Sequence, residues 1–347
     1  METVTIKVVA AAANVSVATV SRVLNNHSNV TADVRDRVLR VADKLRYTPH
    51  AAARSLSSRR NRMLGVVLPD LYGEFFSELV RGVDQAAREH GLHLLVSSYH
   101  GNPEEQGAAL RAMRGRVDGL LMMSPYVGAP TEISDLAGLP VVLINSQAAA
   151  GGISKAGVAA ISVDNHGGAM AMIEHLVNSG HRRIAFITGP QDNFDAHERL
   201  RGYRDALTRW LPDVDEWILQ GDFNEASGHR AGLEIAASPV LPDAVFAAND
   251  MMALGCLFAL SQAGIRVPDD IGLAGFDDIP LARYVHPAVT TMRVNIAQVG
   301  DRAVRMLLAQ LGRADSAMPA SVVMAPDLIV RESCQRNTSF RQRADSS

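Results

Sequence analysis

Along this 347-residue chain, Asp70, Asn145, Asp164, Asn249 with Asp250, and Asp277 with Asp278 each close a short apolar run rich in β-formers. A carboxylate can accept several hydroxyl hydrogen bonds and an amide can give and take, so such a set suits a polyhydroxylated ligand. Arg199, in "HERLRGY", stands where it adds a bidentate donor to the same rim. For Asp164 and Asp250 helix capping is the competing reading, because both precede helical patterns where Asp is preferred with no ligand at all. A different chemistry is suggested near the N-terminus by "SVATVSRVLN", residues 16–25, which carries one arginine among small and apolar side chains. On a helix lying in a DNA major groove, small side chains suit thymine methyls. One arginine suits a bidentate bond to guanine O6 and N7, worth roughly 1–3 kcal/mol of discrimination. The alternative is a plain amphipathic helix.

Signals for catalysis in the sequence are weak. No G-x-G-x-x-G follows the first strand pattern, and there is no Walker A motif, no G-x-S-x-G elbow and no H-E-x-x-H helix. The histidines are scattered: His27, His50, His90, His93 and His100 lack ligand spacing, and His166, His175 and His181 fall on a helix pattern and its end. Cys256 and Cys334 form neither a zinc spacing nor a disulfide framework, and reduced thiols in a cytosol are the expectation. We therefore expect no enzyme, no metal and no cofactor. No apolar run reaches the roughly 18 residues that cross a bilayer. "KVVAAAANVSVATV" superficially resembles a signal peptide, but Glu2 offsets Lys7, the run breaks at Asn14 and Ser16, and Arg22 follows.

The elements that would carry these residues follow from periodicity. From Leu64 onward, β-rich runs alternate with helical patterns, the mark of parallel sheet covered on both faces. The strands read as 64–69, 92–98, 118–124, 140–145, 161–164, 183–189, 245–250 and 271–278. In "EFFSELVRGVDQAAREHG", Phe75, Leu79, Val83 and Ala86 or Ala87 recur at helical period and Gly91 stops the helix. The small-residue stretch 146–157 reads as a loop after which a second βα series restarts, giving two doubly wound halves with a cleft at the carboxyl ends of their strands. Aromatic residues make up only 5% of the chain, a thin basis for choosing among ligands.

The first 62 residues hold eleven basic and four acidic side chains, a charge of +7, whereas the whole chain is −3, leaving −10 for the rest. A basic head on an acidic body points that head at a polyanion. Within it, residues 6–13 pattern as a helix, Asn14 and Val15 as a turn, and Ser16 as the cap of a second helix running to about Asn25. Asn14 is the best non-glycine choice for a turn at positive φ. Val20, Val23 and Leu24 should face inward, and Val17, Ala18, Ser21, Arg22 and Asn25 outward. A third helix capped by Thr31 brings Val34, Val38, Leu39, Val41 and Leu45 to close a small core.

Together "SVATVSRVLN", "AARSL", "RLRGYRDAL", "AAND" and "GFDD" are specific, and the chain from 4 to 333 resembles the LacI/GalR family of transcriptional regulators. The resemblance implies an α/β chain with a three-helix, helix-turn-helix head (1–48), a hinge helix and linker (49–62), and a body (63–333). That body would hold two doubly wound parallel-sheet halves similar to a type I periplasmic binding protein, followed by a disordered tail (334–347). It also implies base reading by Val17, Ala18 and Arg22, and phosphate contacts from Thr5, Ser16, Thr19, Ser21 and Asn25. Leu56 of "PHAAARSLSS" matches the residue that wedges into the minor groove. A short hinge helix of that kind is marginal alone, so coupling its folding to DNA makes a switch. In the body, Asp164, Arg199, Asn249 and Asp277 match effector contacts, joined by Asp70 and Phe75.

Departures from the family pattern are Val8 in place of Asp, Asn14 and Arg46 in place of Gly, and His50 in place of Asn. Gly73 and Glu74 replace a common Asn-Pro ahead of two phenylalanines, which changes the first wall of the pocket. The expectation is a cytoplasmic homodimer that binds double-stranded operator DNA as a repressor and is released by a small sugar. A corepressor mode, a periplasmic sugar-binding protein and a sugar- or nucleoside-processing enzyme are the alternatives.

Overall fold

The computed structural model describes residues 4–24, 29–47, 61–126, 138–145, 158–313 and 318–335. Two compact units divide at Arg62/Met63.

In the first unit, α1 (Ile6–Ala13), α2 (Val17–Leu24) and α3 (Ala32–Lys44) close on Val9, Ala10, Ala13, Val20, Val23, Val38 and Ala42. Asn14 takes φ 53°, and its N–H, with that of Val15, returns to the carbonyls of Ala11 and Ala10. That left-handed residue ends α1 and turns the chain by 103° into α2. The Ser16 hydroxyl then accepts the Thr19 N–H at 3.0 Å, the expected N-cap. One core assignment fails: Leu39 is 45% exposed, because α3 turns Val38 and Ala42 inward, and Val34, Val41 and Leu45 flank them half-buried.

The second unit holds two six-stranded sheets, ordered β11-β5-β4-β3-β1-β2 and β12-β10-β9-β8-β6-β7. The first comprises β1 (Met63–Leu68), β2 (His93–Ser98), β3 (Gly119–Met123), β4 (Val141–Ile144), β5 (Ala159–Val163) and β11 (Ser321–Met324), all parallel. The second comprises β6 (Ile184–Ile187), β7 (Trp217–Leu219), β8 (Ala244–Ala247), β9 (Gly272–Asp277), β10 (Thr290–Arg293) and an antiparallel edge, β12 (Asp327–Ile329). The helices are α4 (Glu74–Glu89), α5 (Pro103–Met113), α6 (Asn165–Asn178), α7 (Phe194–Trp210), α8 (Glu225–Ala236), α9 (Asp250–Gln262) and α10 (Ile296–Gln310). Strands such as Leu64–Leu68 and Gly272–Asp277 are buried along their length, as parallel strands covered on both faces must be.

The chain crosses between the halves after β5, after β10 and after β11, so the first switch lies beyond Val163 and not within 146–157 as expected. β5 still pairs with β4, which keeps it in the first sheet. Helix α10 is thereby returned to the first half, against α4. The approach is close enough that a Cβ on Gly82 would lie 2.1 Å from the Ala297 carbonyl oxygen. Strands β7, β10, β11 and β12 escaped the sequence reading. Cys334, assigned to the tail, is buried, and its carbonyl faces His181 Nε2 at 3.2 Å, so the body continues through it.

Candidate functional site

A cleft of about 400 Å³ opens at the carboxyl ends of the two sheets. Its floor comes from α7, where "NFDAHER" begins. Asn193 caps the helix through the Ala196 N–H at 3.0 Å, placing Asp195 and Arg199 one turn apart on one face. Both are buried. Asp195 accepts from Asn145 Nδ2 at 3.1 Å and Asn165 Nδ2 at 2.9 Å, and Asn145 belongs to the other half. Arg199 donates through Nε to Asn165 Oδ1 at 2.8 Å, through Nη1 to the Ala248 carbonyl and through Nη2 to Asp277 Oδ1 at 3.2 Å, its guanidinium lying 3.9 Å over the Phe276 ring. Three of its five N–H donors are thus engaged by protein. It brackets Asp277 more than it offers the free bidentate fork expected of it.

Asp277 ends β9 at φ 109°, a costly conformation for a residue with a Cβ. Asp250 supports this turn from beneath: its carboxylate accepts the Ile279 N–H at 2.9 Å and the Thr291 hydroxyl at 2.6 Å. Burial, reinforced by the nearby Asp277 charge, holds the Asp250 carboxyl well above the usual range. Burial also pushes Asp195 up to about 6 against the pull of Arg199 and the two amides. Asp277 rises to about 6 from the same cause, with Arg199 pulling down and Asp195 pushing up.

Of the expected contacts, Asp70, Phe75, Arg199, Asn249 and Asp277 line the cleft. Asn249 does so with its amide committed, donating to the Phe223 carbonyl at 2.9 Å and capping α9 through the Met252 N–H at 3.0 Å. Asp70 Oδ1 accepts the Leu71 and Tyr72 N–H groups. Asp164 is a correction: it is absent from the lining and exposed, and its carboxylate caps α6 through the Gly167 N–H at 2.8 Å. Capping, the competing reading, accounts for it. Asp195 was missed, although its i, i+4 spacing from Arg199 was visible in the sequence. Tyr72, Phe76, Tyr126 and Phe223 were missed too, so with Phe75 the cleft gathers five aromatic rings from a chain poor in them. Five lining carboxylates, Asp70, Asp195, Asp222, Glu225 and Asp277, face one guanidinium.

On α2, Val17, Ala18 and Arg22 are exposed together, Val17 by 41%. Ser21 is half-buried, and the Ser16 and Thr19 hydroxyls lie 2.8 Å apart. Thr5 is exposed at the start of α1 and makes no side-chain cap there. Asn25 and Leu56 lie outside the described residues, as do most of the hinge segment and residues 336–347 of the tail.

The signature of the bacterial regulatory proteins of the lacI family matches residues 5–50, and a periplasmic binding protein-like domain matches 173–334. Over 335 residues, 95% of this chain and 96% of the relative, the sequence is 36% identical to the HTH-type transcriptional repressor PurR of Escherichia coli O139:H28. The chain belongs to the LacI family. Among solved structures, this LacI-family regulator superposes on the lac repressor dimer bound to operator and the anti-inducer ONPF with TM-score 0.83 at 27% identity, covering 96% of this chain and 100% of that one. A transcriptional regulator CelR–cellobiose complex aligns with TM-score 0.69 at 32% identity over 95% of this chain and 99% of that one. Among the described residues no His, Cys, Asp and Glu cluster forms a metal site, and no single helix is long and apolar enough to cross a membrane.

Proposed function

We propose that this chain is a cytoplasmic, homodimeric repressor without catalytic activity that grips a palindromic operator and releases it when a neutral sugar fills the cleft. The observation that carries the ligand class is the cleft's composition. Five carboxylates and one internally engaged guanidinium disfavour an anionic ligand, and the aromatic walls suit the apolar faces of a sugar ring whose hydroxyls donate to Asp195 and Asp277. The cellobiose-bound relative supports the same class. In the head, Val17, Ala18 and Arg22 read bases, and Thr5, Ser16, Thr19, Ser21 and Asn25 hold phosphates, with Leu56 as the minor-groove wedge. Two-fold operators require paired heads. The face we assign to pairing with a second copy is the apolar groove of Leu254, Leu257, Phe258, Leu281 and Val285, where Phe258 is 59% exposed.

A gel-shift series with the full chain, a selected operator and a panel of neutral mono- and disaccharides, sugar phosphates and purines tests this. A neutral sugar is expected to weaken operator binding at least about tenfold, a coupling of roughly 1.4 kcal/mol. Strengthened binding would establish the corepressor mode, and a response only to anionic ligands would overturn the ligand assignment.

A further inference from the structure

The segment after β1 does something the ligand site does not require. Tyr72, 63% exposed, sends its hydroxyl to both Glu225 carboxylate oxygens at 3.2 and 3.1 Å. Two residues on, Glu74 Oε2 accepts the Leu281 N–H at 3.0 Å. Tyr72 and Glu74 belong to the first half of the body, whereas Glu225 opens α8 and Leu281 lies in the 3-10 turn Pro280–Arg283, both in the second half. The segment is itself pinned at both ends: Asp70 Oδ1 gathers the Leu71 and Tyr72 N–H groups, and the Ser77 hydroxyl donates to the Gly73 carbonyl at 3.1 Å. Gly73 between them takes φ 93°, which lets the chain turn from Tyr72 into α4 with no Cβ strain.

We propose that Tyr72 and Glu74 form a two-point clasp that holds the body closed in the absence of ligand. Tyr72 and Glu225 both line the cleft, so the first point of the clasp stands at the ligand site itself. Neither contact belongs to the packing of a single half; each exists only when the halves approach. Each is a single hydrogen bond, the one at Leu281 beside the groove assigned to pairing, of a strength that shifts an open-to-closed ratio by about fivefold to tenfold. Closure is therefore reversible, as a binding protein needs. Glu74 also stands where the common family pattern carries proline, which has no such acceptor. The clasp bears on the proposed sugar cleft, but it is measurable with neither ligand nor DNA, so the two stand or fall separately.

Double electron–electron resonance on the full-length, ligand-free protein tests it, with nitroxides at Glu105→Cys on α5 and Glu234→Cys on α8, both exposed, and labelled protomers diluted with unlabelled ones. The native Cys256 and Cys334 are buried and stay unlabelled. The clasped protein and Glu74→Gln, which keeps an acceptor for the Leu281 N–H, are expected to show one short distance. Tyr72→Phe/Glu74→Ala is expected to gain a longer population, its open-to-closed ratio raised at least about tenfold. If that double variant does not fold, Tyr72→Phe alone, which alters one exposed hydroxyl, is expected to show a smaller shift of the same sign. A distribution unchanged by removal of the clasp, or a clasped protein that is already open, would overturn the proposal.

Discussion

Asp195 places two opposing demands on the cleft. Burial raises its carboxyl to about 6, above the ordinary value of 3.8, so the stability linked to its proton is fully present below about 4 and is lost as pH rises through about 6. Replacing it by the neutral isostere should therefore help the empty protein more as pH rises. The melting temperature of Asp195→Asn minus that of the parent, measured from pH 5 to 7.5, is expected to grow with pH. Hydroxyl donors favour the ionised form, so sugar affinity of the parent should climb over the same range as Asp195 and Asp277 lose their protons. Isothermal titration should show Asp195→Asn binding at least about tenfold more weakly and with a flatter pH profile, the loss expected for charge-assisted hydrogen bonds. A parent whose affinity falls from pH 5 to 7 would contradict the donor assignment.

Among the elements, the α1–α2 turn was the most legible, because a single Asn between two apolar periods leaves the backbone few choices. Its φ of 53° makes a sharp prediction: Asn14→Val should cost about 1–2 kcal/mol and Asn14→Gly almost nothing, read by thermal melting of the head's helical signal. The buried strands β1, β3, β6 and β9 were legible for the same reason, as continuous apolar runs bounded by polar residues. What escaped was set by tertiary context. β7 and β12 are three residues each, too short for a period, and β11 is recruited to the first sheet only after the chain has left and returned. Asp164 and Asn249 illustrate the ambiguity of a polar strand end, since both cap helices and only Asn249 also lines the cleft. The aromatic walls were hidden because Tyr72, Tyr126 and Phe223 sit in three separate loops or strand ends that only the paired sheets bring together.

For the whole molecule, basic head and acidic cleft divide the labour that the family membership implies, one part for DNA and one for a small-molecule effector. The proposed pairing is tested at the apolar groove. Phe258→Glu places a charge on the exposed apolar groove and should convert the dimer to monomer in sedimentation velocity at micromolar concentration, while leaving the circular dichroism of the body unchanged. A monomer should also bind operator far more weakly, because each head alone contacts a half-site.

The most direct measurement is selection of binding sites from a random duplex library by the purified full-length protein, followed by affinity for the enriched site at fixed salt. The expected result is a palindrome bound at least about a thousandfold tighter than random duplex. Arg22→Ala should relax its preference at a guanine in each half-site while keeping salt-sensitive nonspecific binding. No enriched palindrome, or a palindrome whose selectivity is untouched by Arg22→Ala, would contradict it.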